Sequence, residues 1–315
     1  MLDPHDAAVI AARYGLGDRA ELVGPVARGE VGQVWRLNTS RGSWAVKEPF
    51  ERPSVEEVDD DAAFQEAAHS AGVPMPRMVR TVDGGVLADV GAATVRVYEW
   101  VHLLERDPRL DPTTVGQLVA TLHRVGFVGS NDVHPWYTDR VGPDRWDDLI
   151  VRLESASAPF AGELAAQRDE LVALSETLEW PVDLQTCHRD LFADNVLRTS
   201  GGGLCVIDWE NAGLAEPAQE LCLVLFEYSC GELERARILY DAYRQAGGPG
   251  RIDRPGNFSM IVCQLAHIGE MACIRWLDPA RRADRAHNEA WAMEFLTQPL
   301  TRRMIDDFVA ALSSG

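Results

Sequence analysis

Residues 188–208 place the tightest demand on how this chain folds. His188-Arg189-Asp190-Leu191-Phe192-Ala193-Asp194-Asn195 sets an aspartate and an asparagine five positions apart in a His-Arg-Asp-x-x-x-x-Asn pattern. Thirteen residues after Asn195 comes Asp208, inside Ile207-Asp208-Trp209-Glu210. Apolar runs at 195–198 and 204–208, joined by Thr199-Ser200-Gly201-Gly202-Gly203, read as a short strand pair between them. Phosphoryl transfer explains why such residues belong together. The transferred group needs positioning, cations against its oxygens, and a group that deprotonates the attacking hydroxyl. Asp190 can accept that proton, while Asn195 and Asp208 offer hard oxygen ligands suited to Mg²⁺.

The upstream half supplies what that chemistry asks for. Gly29-Glu30-Val31-Gly32-Gln33-Val34 matches the latter part of a Gly-x-Gly-x-x-Gly-x-Val loop, with Ala27 at the first glycine position. Glycines there let backbone N–H groups of residues such as Gly29 and Gly32 approach phosphate oxygens. Thirteen residues past Val34, Trp44-Ala45-Val46-Lys47 ends a β-prone run, in the manner of the kinase strand motif. Of the 30 basic residues, 29 are arginine, and Lys47 is the single lysine. Arginine serves wherever positive charge alone matters; a phosphate site calls for a compact ammonium. A helix glutamate should pair with it: Glu66 in Phe64-Gln65-Glu66-Ala67 is the first choice, with Glu56 and Glu57 as alternatives in the capping turn.

The periodicity of the chain changes near residues 100–103. Before it, β-prone runs at 34–37 and 43–47 form a hairpin around a Gly-closed turn. Ser54-Val55-Glu56-Glu57 fits a capping box, opening a helix to about residue 69 with Val58, Ala62 and Glu66 on one stripe. Short strands follow at 77–82, 86–89 and 94–100. Beyond the change, helices are expected from Asp111-Pro112, with Leu122 and His123 near the end of the first, and at 145–154, 161–178, 218–228, 233–245, 258–277, 285–296 and 302–312. The expected division is residues 1–100 and 101–315, with a ligand cleft between the halves.

Together these residues resemble the aminoglycoside phosphotransferase family, a branch of the protein-kinase-like superfamily. The resemblance rests on Gly29 to Val34, Lys47, Glu66 with Gly72-Val73-Pro74-Met75-Pro76, and Leu122-His123. It is most specific at His188 to Asn195, Ile207 to Glu210 and Glu216-Pro217-Ala218-Gln219-Glu220-Leu221, and it spans roughly residues 20 to 230. It implies an α+β, bilobal kinase-like fold, with an antiparallel sheet and one helix in the small lobe and a larger helical lobe. It implies ATP and Mg²⁺ as cofactors, with the backbone of Glu99 and Val101, in Tyr98-Glu99-Trp100-Val101, holding adenine. The family more often has glycine at position 189 and aspartate at 220, where it braces the catalytic loop; here those positions are Arg189 and Glu220.

Three functions follow: a small-molecule O-phosphotransferase, a protein kinase, or a silent nucleotide-binding module. A protein kinase carries an Asp-Phe-Gly, an Ala-Pro-Glu and a long docking segment. Here only eight residues separate Asp208 from Glu216. A silent module is disfavoured because lysine, base and both metal ligands are present. Family acceptors include aminoglycosides and other antibiotics, and among metabolites choline, homoserine and sugars. A formal charge of −19 tilts toward a cationic hydroxyl acceptor and argues against nucleic acid or an anionic membrane as partner. Asp194, Glu227, Glu270 and Trp276, with Trp291 beside them, are the acceptor-site candidates, each equally at home in a core or on a solvated face. Six cysteines without a Cys-x-x-Cys pair fit buried thiols in a reducing compartment. The uncharged stretch 255–269 is shorter than the ~20 residues of a spanning helix, and the acidic N-terminus lacks signal-peptide character, so a cytoplasmic protein is expected.

Overall fold

The computed structural model describes residues 1–29, 31–130 and 132–313. Its chain divides into two compact units. One comprises Met1–Asp107, Gly129–Asn131 and Asp190–Ala212; the other comprises Pro108–Val128, Asp132–Arg189 and Gly213–Gly315.

The first unit opens with α1 (Ala7–Arg13), followed by β1 (Glu21–Arg28), β2 (Gly32–Thr39), β3 (Gly42–Pro49), α2 (Val55–Ser70), β4 (Met78–Val79), β5 (Ala88–Val90) and β6 (Ala93–Glu99). The strands form one antiparallel sheet in the order β1-β2-β3-β6-β4, with β5 also on β6. Alternation explains its two faces. Val46, Val95 and Val97 turn into a core with Leu37, Trp35, Ile10 and Tyr14. Lys47 and Arg96 turn the other way, and they are paired across β3 and β6. The expected hairpin at 34–47 is present in register, Val34 opposite Lys47. The strands expected at 77–82 and 86–89 shrink to Met78–Val79 and Ala88–Val90.

The second unit begins with α3 (Pro112–His123), capped by Asp111 through the Thr114 N–H at 2.9 Å, then α4 (Pro143–Ser155), α5 (Ala161–Ser175) and β7 (Gln185–Cys187). After Arg189 the chain returns to the first unit as the hairpin β8 (Val196–Arg198) and β9 (Leu204–Val206). A split at residue 100 puts this hairpin with the helices. Its backbone bonds instead reach Pro74 from Val206 (2.8 Å) and, through Arg198, Leu104 (2.8 Å). The second unit resumes with β10 (Gly213–Ala215), antiparallel to β7, and α6 (Pro217–Ser229), α7 (Leu233–Gln245), α8 (Ser259–Leu277), α9 (Arg285–Thr297) and α10 (Arg302–Leu312). Trp146, Phe160, Leu164 and Trp276 belong to one of its apolar clusters.

Pro255–Leu277 is longer as a helical run than its uncharged stretch suggested, and by length and composition it could cross a membrane; 67% of its most apolar window is buried in protein. All six cysteines are free thiols, and five are buried.

Candidate active site

The first unit brings the proposed catalytic groups together. Asp190 and Asn195 lie in the loop before β8, and Asp208 lies just after β9. Pairing of Val196 with Val206 closes the hairpin, and the Ile207 N–H donates to the Asn195 carbonyl at 2.9 Å, which ties the two loops. Asn195 is buried; its Nδ2 donates to the Asp190 backbone carbonyl and to Asp190 Oδ2, both at 2.9 Å. Asn211 Nδ2 donates to the same Oδ2 at 3.0 Å. With the Asn195 amide nitrogen turned to Asp190, its oxygen is the atom suited to a metal, and the Asp208 carboxylate supplies a second hard oxygen.

Lys47 Nζ sits 2.5 Å from Asp208 Oδ1 and 2.7 Å from Glu210 Oε2. Burial works against its charge, but Glu210 and Asp208 together hold its pKa above the ordinary lysine value. Burial pushes Asp208 up to about 7; Glu210 beside it pushes the same way, and Lys47 opposes both. Glu210 resists its own burial and stays well below the usual carboxylate range, because Lys47 and Arg96 flank it.

The glutamate expected to meet Lys47 does not. Glu66 is exposed on α2 and accepts from Arg80 Nε at 2.7 Å. Among the described residues, the buried α2 carboxylate is Asp61, which shares a helix face with Val58, Ala62 and Gln65 and accepts from Arg96 Nη1 at 2.6 Å. Glu56 is exposed, and the side chain of Glu57 lies outside the described residues.

At the other end of the site, the Gly29 N–H donates to the Gly32 carbonyl at 2.9 Å, between β1 and β2. A Cβ on Gly32 would meet the Glu48 carbonyl at 2.7 Å, so close passage of β3 already requires glycine there. Glu30 lies outside the described residues. The Glu99 N–H donates to the Arg77 carbonyl (2.9 Å) and its side chain pairs with Arg77 at 3.0 Å. Val101 follows β6 half-buried.

Residues 23–255 match a phosphotransferase enzyme family, APH. The chain belongs to that family. Homoserine kinase of Pseudomonas aeruginosa is 27% identical over 244 residues, 74% of each protein. A spectinomycin phosphotransferase, solved with ADP and spectinomycin, shares the fold at a TM-score of 0.69 and 12% identity, over 99% of each chain. An aminoglycoside phosphotransferase of Alicyclobacillus acidocaldarius superposes with a TM-score of 0.62 at 18% identity, over 100% of this chain and 96% of that one. The α+β kinase-like fold expected from the sequence is therefore the fold of this APH phosphotransferase.

The family departures have local explanations within the second unit. Arg189 has φ 63°, a left-handed conformation in which glycine is the natural occupant. Its guanidinium is buried 4.3 Å from the centroid of the Tyr137 ring, and Gly213 leaves room for it; a Cβ there would lie 2.5 Å from Arg189 Nη2. The Arg189 N–H donates to Glu220 Oε1 in a short hydrogen bond, and Gln264 Nε2 donates to the Arg189 carbonyl at 3.0 Å. Glu220 Oε2 lies 2.7 Å from His123 Nε2, whose Nδ1 is 2.9 Å from the Tyr243 hydroxyl. Glu220 thus reaches the backbone beside Asp190 despite its extra methylene. Burial works against its charge, yet His123 holds its pKa below the ordinary glutamate value.

The acceptor candidates have different local surroundings. Asp194 is exposed and pairs with Arg106 at 3.6 Å. Trp276 is a core residue: 4% exposed, edge-on to Phe160, with Arg285 4.0 Å above its ring. Glu270 is buried under a short ion pair to Arg145 and lies 3.6 Å from His267, whose ring stacks on Trp136 at 4.9 Å. Glu227 is half-buried on α6, and Trp291 carries Arg275 5.4 Å from its ring centroid.

Sequence reasoning missed Asp61, Arg96 and Asn211. Asp61 carries a signal, being a carboxylate on the apolar stripe of α2. Arg96 carries another, a charge alternating with Val95 and Val97 in a strand. Asn211 has none, because its role depends on where the turn after β9 places it.

Proposed function

We propose that this APH phosphotransferase moves the γ-phosphoryl group of ATP to a hydroxyl of a small molecule. The observation that carries this reading is the convergence, within one compact unit, of Asp190, its two amide donors, Asp208 and the single lysine. Asp190 accepts the hydroxyl proton as the oxygen attacks phosphorus, and the amides of Asn195 and Asn211 orient its carboxylate. Lys47 holds phosphate oxygens once nucleotide competes with its carboxylate partners. Asn195 Oδ1 and Asp208 would hold Mg²⁺, which neutralises the charge on the phosphates.

The acceptor class is a hydroxylated small molecule, and the acidic protein favours a cationic one. An amino-alcohol metabolite is the second reading, supported by the 27% identity with a homoserine kinase. ADP release measured over aminoglycosides, spectinomycin, choline, homoserine and simple sugars separates the two. Asp190→Asn should lower kcat by about a thousandfold or more on the best acceptor while leaving nucleotide affinity within about threefold. Undiminished turnover in that variant would remove Asp190 as the base.

A further inference from the structure

Lys47 and Arg96 stand directly opposite each other on β3 and β6. Opposed positions of an antiparallel pair share a face, and like charges there repel. Glu210 spans the two, with Oε2 2.7 Å from Lys47 Nζ and Oε1 3.8 Å from an Arg96 Nη1 atom. That same Nη1 donates to Asp61 Oδ2 at 2.6 Å, and Gln65 Nε2 donates to Asp61 Oδ1 at 3.2 Å. The side chains of Arg96 and Asp61 are 6% and 8% exposed. Among the described side chains, helix α2 therefore connects to the lysine through Arg96 and Glu210, and not by a carboxylate of its own.

We infer that Arg96 is a positioning residue for the phosphate-binding lysine: it holds Glu210, and Glu210 holds Lys47. A lysine ammonium rides on four rotatable carbons, so a partner orients it only if that partner is itself fixed. Glu210 belongs to a short turn, Trp209–Asn211, and Arg96 belongs to the middle of the sheet. The sheet is the rigid member, and its guanidinium can address two carboxylates at once. The competing account is that Arg96 merely neutralises buried Asp61. The inference rests on the reading of Lys47 as a phosphate ligand.

Arg96→Met alone would strand Asp61 as a buried charge, so the informative variant is Arg96→Met/Asp61→Leu. Replacing both members of a buried pair by apolar groups of similar size is often neutral or stabilising. The double variant should therefore melt at or above the parent temperature. Its Kd for ATP with Mg²⁺, measured calorimetrically on the full chain, should rise about tenfold, while its Kd for adenosine stays within about twofold. General damage would weaken both ligands equally, and that result, like an unchanged Kd for ATP, overturns the positioning role. Arg96→Lys, which keeps the charge, should recover at least half of the lost ATP affinity on a logarithmic scale; no recovery also counts against it. Lys47→Ala measured alongside should show the same ATP-selective loss. If Lys47→Ala binds ATP like the parent, the lysine reading itself fails, whatever the Arg96 variants do.

Discussion

Asp208 has an ammonium on one side and a second carboxylate near it, and the two pull its proton affinity in opposite directions. Burial and Glu210 prevail, placing its pKa at about 7. On the proposed reading of Asp208 as a Mg²⁺ ligand, the consequence is pH-dependent binding. Below pH 7 Asp208 carries a proton that a divalent cation must displace; above it the carboxylate is ready. Affinity for Mg²⁺ should thus climb by up to about tenfold per pH unit below 7 and level off above it. Calorimetry at pH 6 in buffers of different ionisation enthalpy should register proton release on Mg²⁺ binding, and a flat affinity from pH 6 to 8 contradicts the assignment. Asn211 makes a second prediction at the same scale. Asn211→Leu should lower kcat about tenfold, the worth of one bond to a charged group, while leaving the melting temperature near that of the parent and the nucleotide Kd within about twofold. A matching loss of stability or nucleotide affinity would make Asn211 only structural.

Helix α2 illustrates how far element-level reading reaches. Its extent and its buried Val58 and Ala62 follow from helical spacing, and it runs Val55–Ser70. The face it presents differs from the expected one by one position of the stripe: Glu66 extends the series Val58, Ala62 arithmetically, but a 3.6-residue period drifts it to the surface, while Asp61 and Gln65 turn inward. Helix α6 holds the counterpart in the second unit. Glu220 is fully buried and satisfies both the Arg189 N–H and His123. Glu220→Leu would leave both partners buried without their acceptor, at a cost of about 3 kcal/mol or more. Thermal melting should drop by several degrees, and Glu220→Gln, which keeps an acceptor oxygen, should drop less. Equal melting of all three proteins would dismiss Glu220 as a brace.

Across the whole chain, the peptide bond from Arg189 to Asp190 is one of the points where one compact unit gives way to the other. The groups that hold Arg189 belong to the second unit, and Asp190, Asn195, Asp208 and Lys47, the proposed base, metal ligands and phosphate-binding lysine, belong to the first. Linear sequence could not yield that partition, because the hairpin at 196–206 is assigned by its backbone bonds to Pro74 and Leu104 and not by chain order. What the sequence determined by itself was the family and its kinase-like fold. The spacing of Asp190, Asn195 and Asp208, the lone Lys47, and the change of period near residue 100 are local patterns, and local patterns survive without coordinates. The tertiary structure decided which charges meet. Burial sent Trp276 to the core and Glu66 to the surface, and the register of β3 against β6 set Arg96 beside Lys47. Ion pairs between residues 47, 61, 96 and 210 span distances along the chain that no periodicity encodes, so only the folded sheet and helix select them.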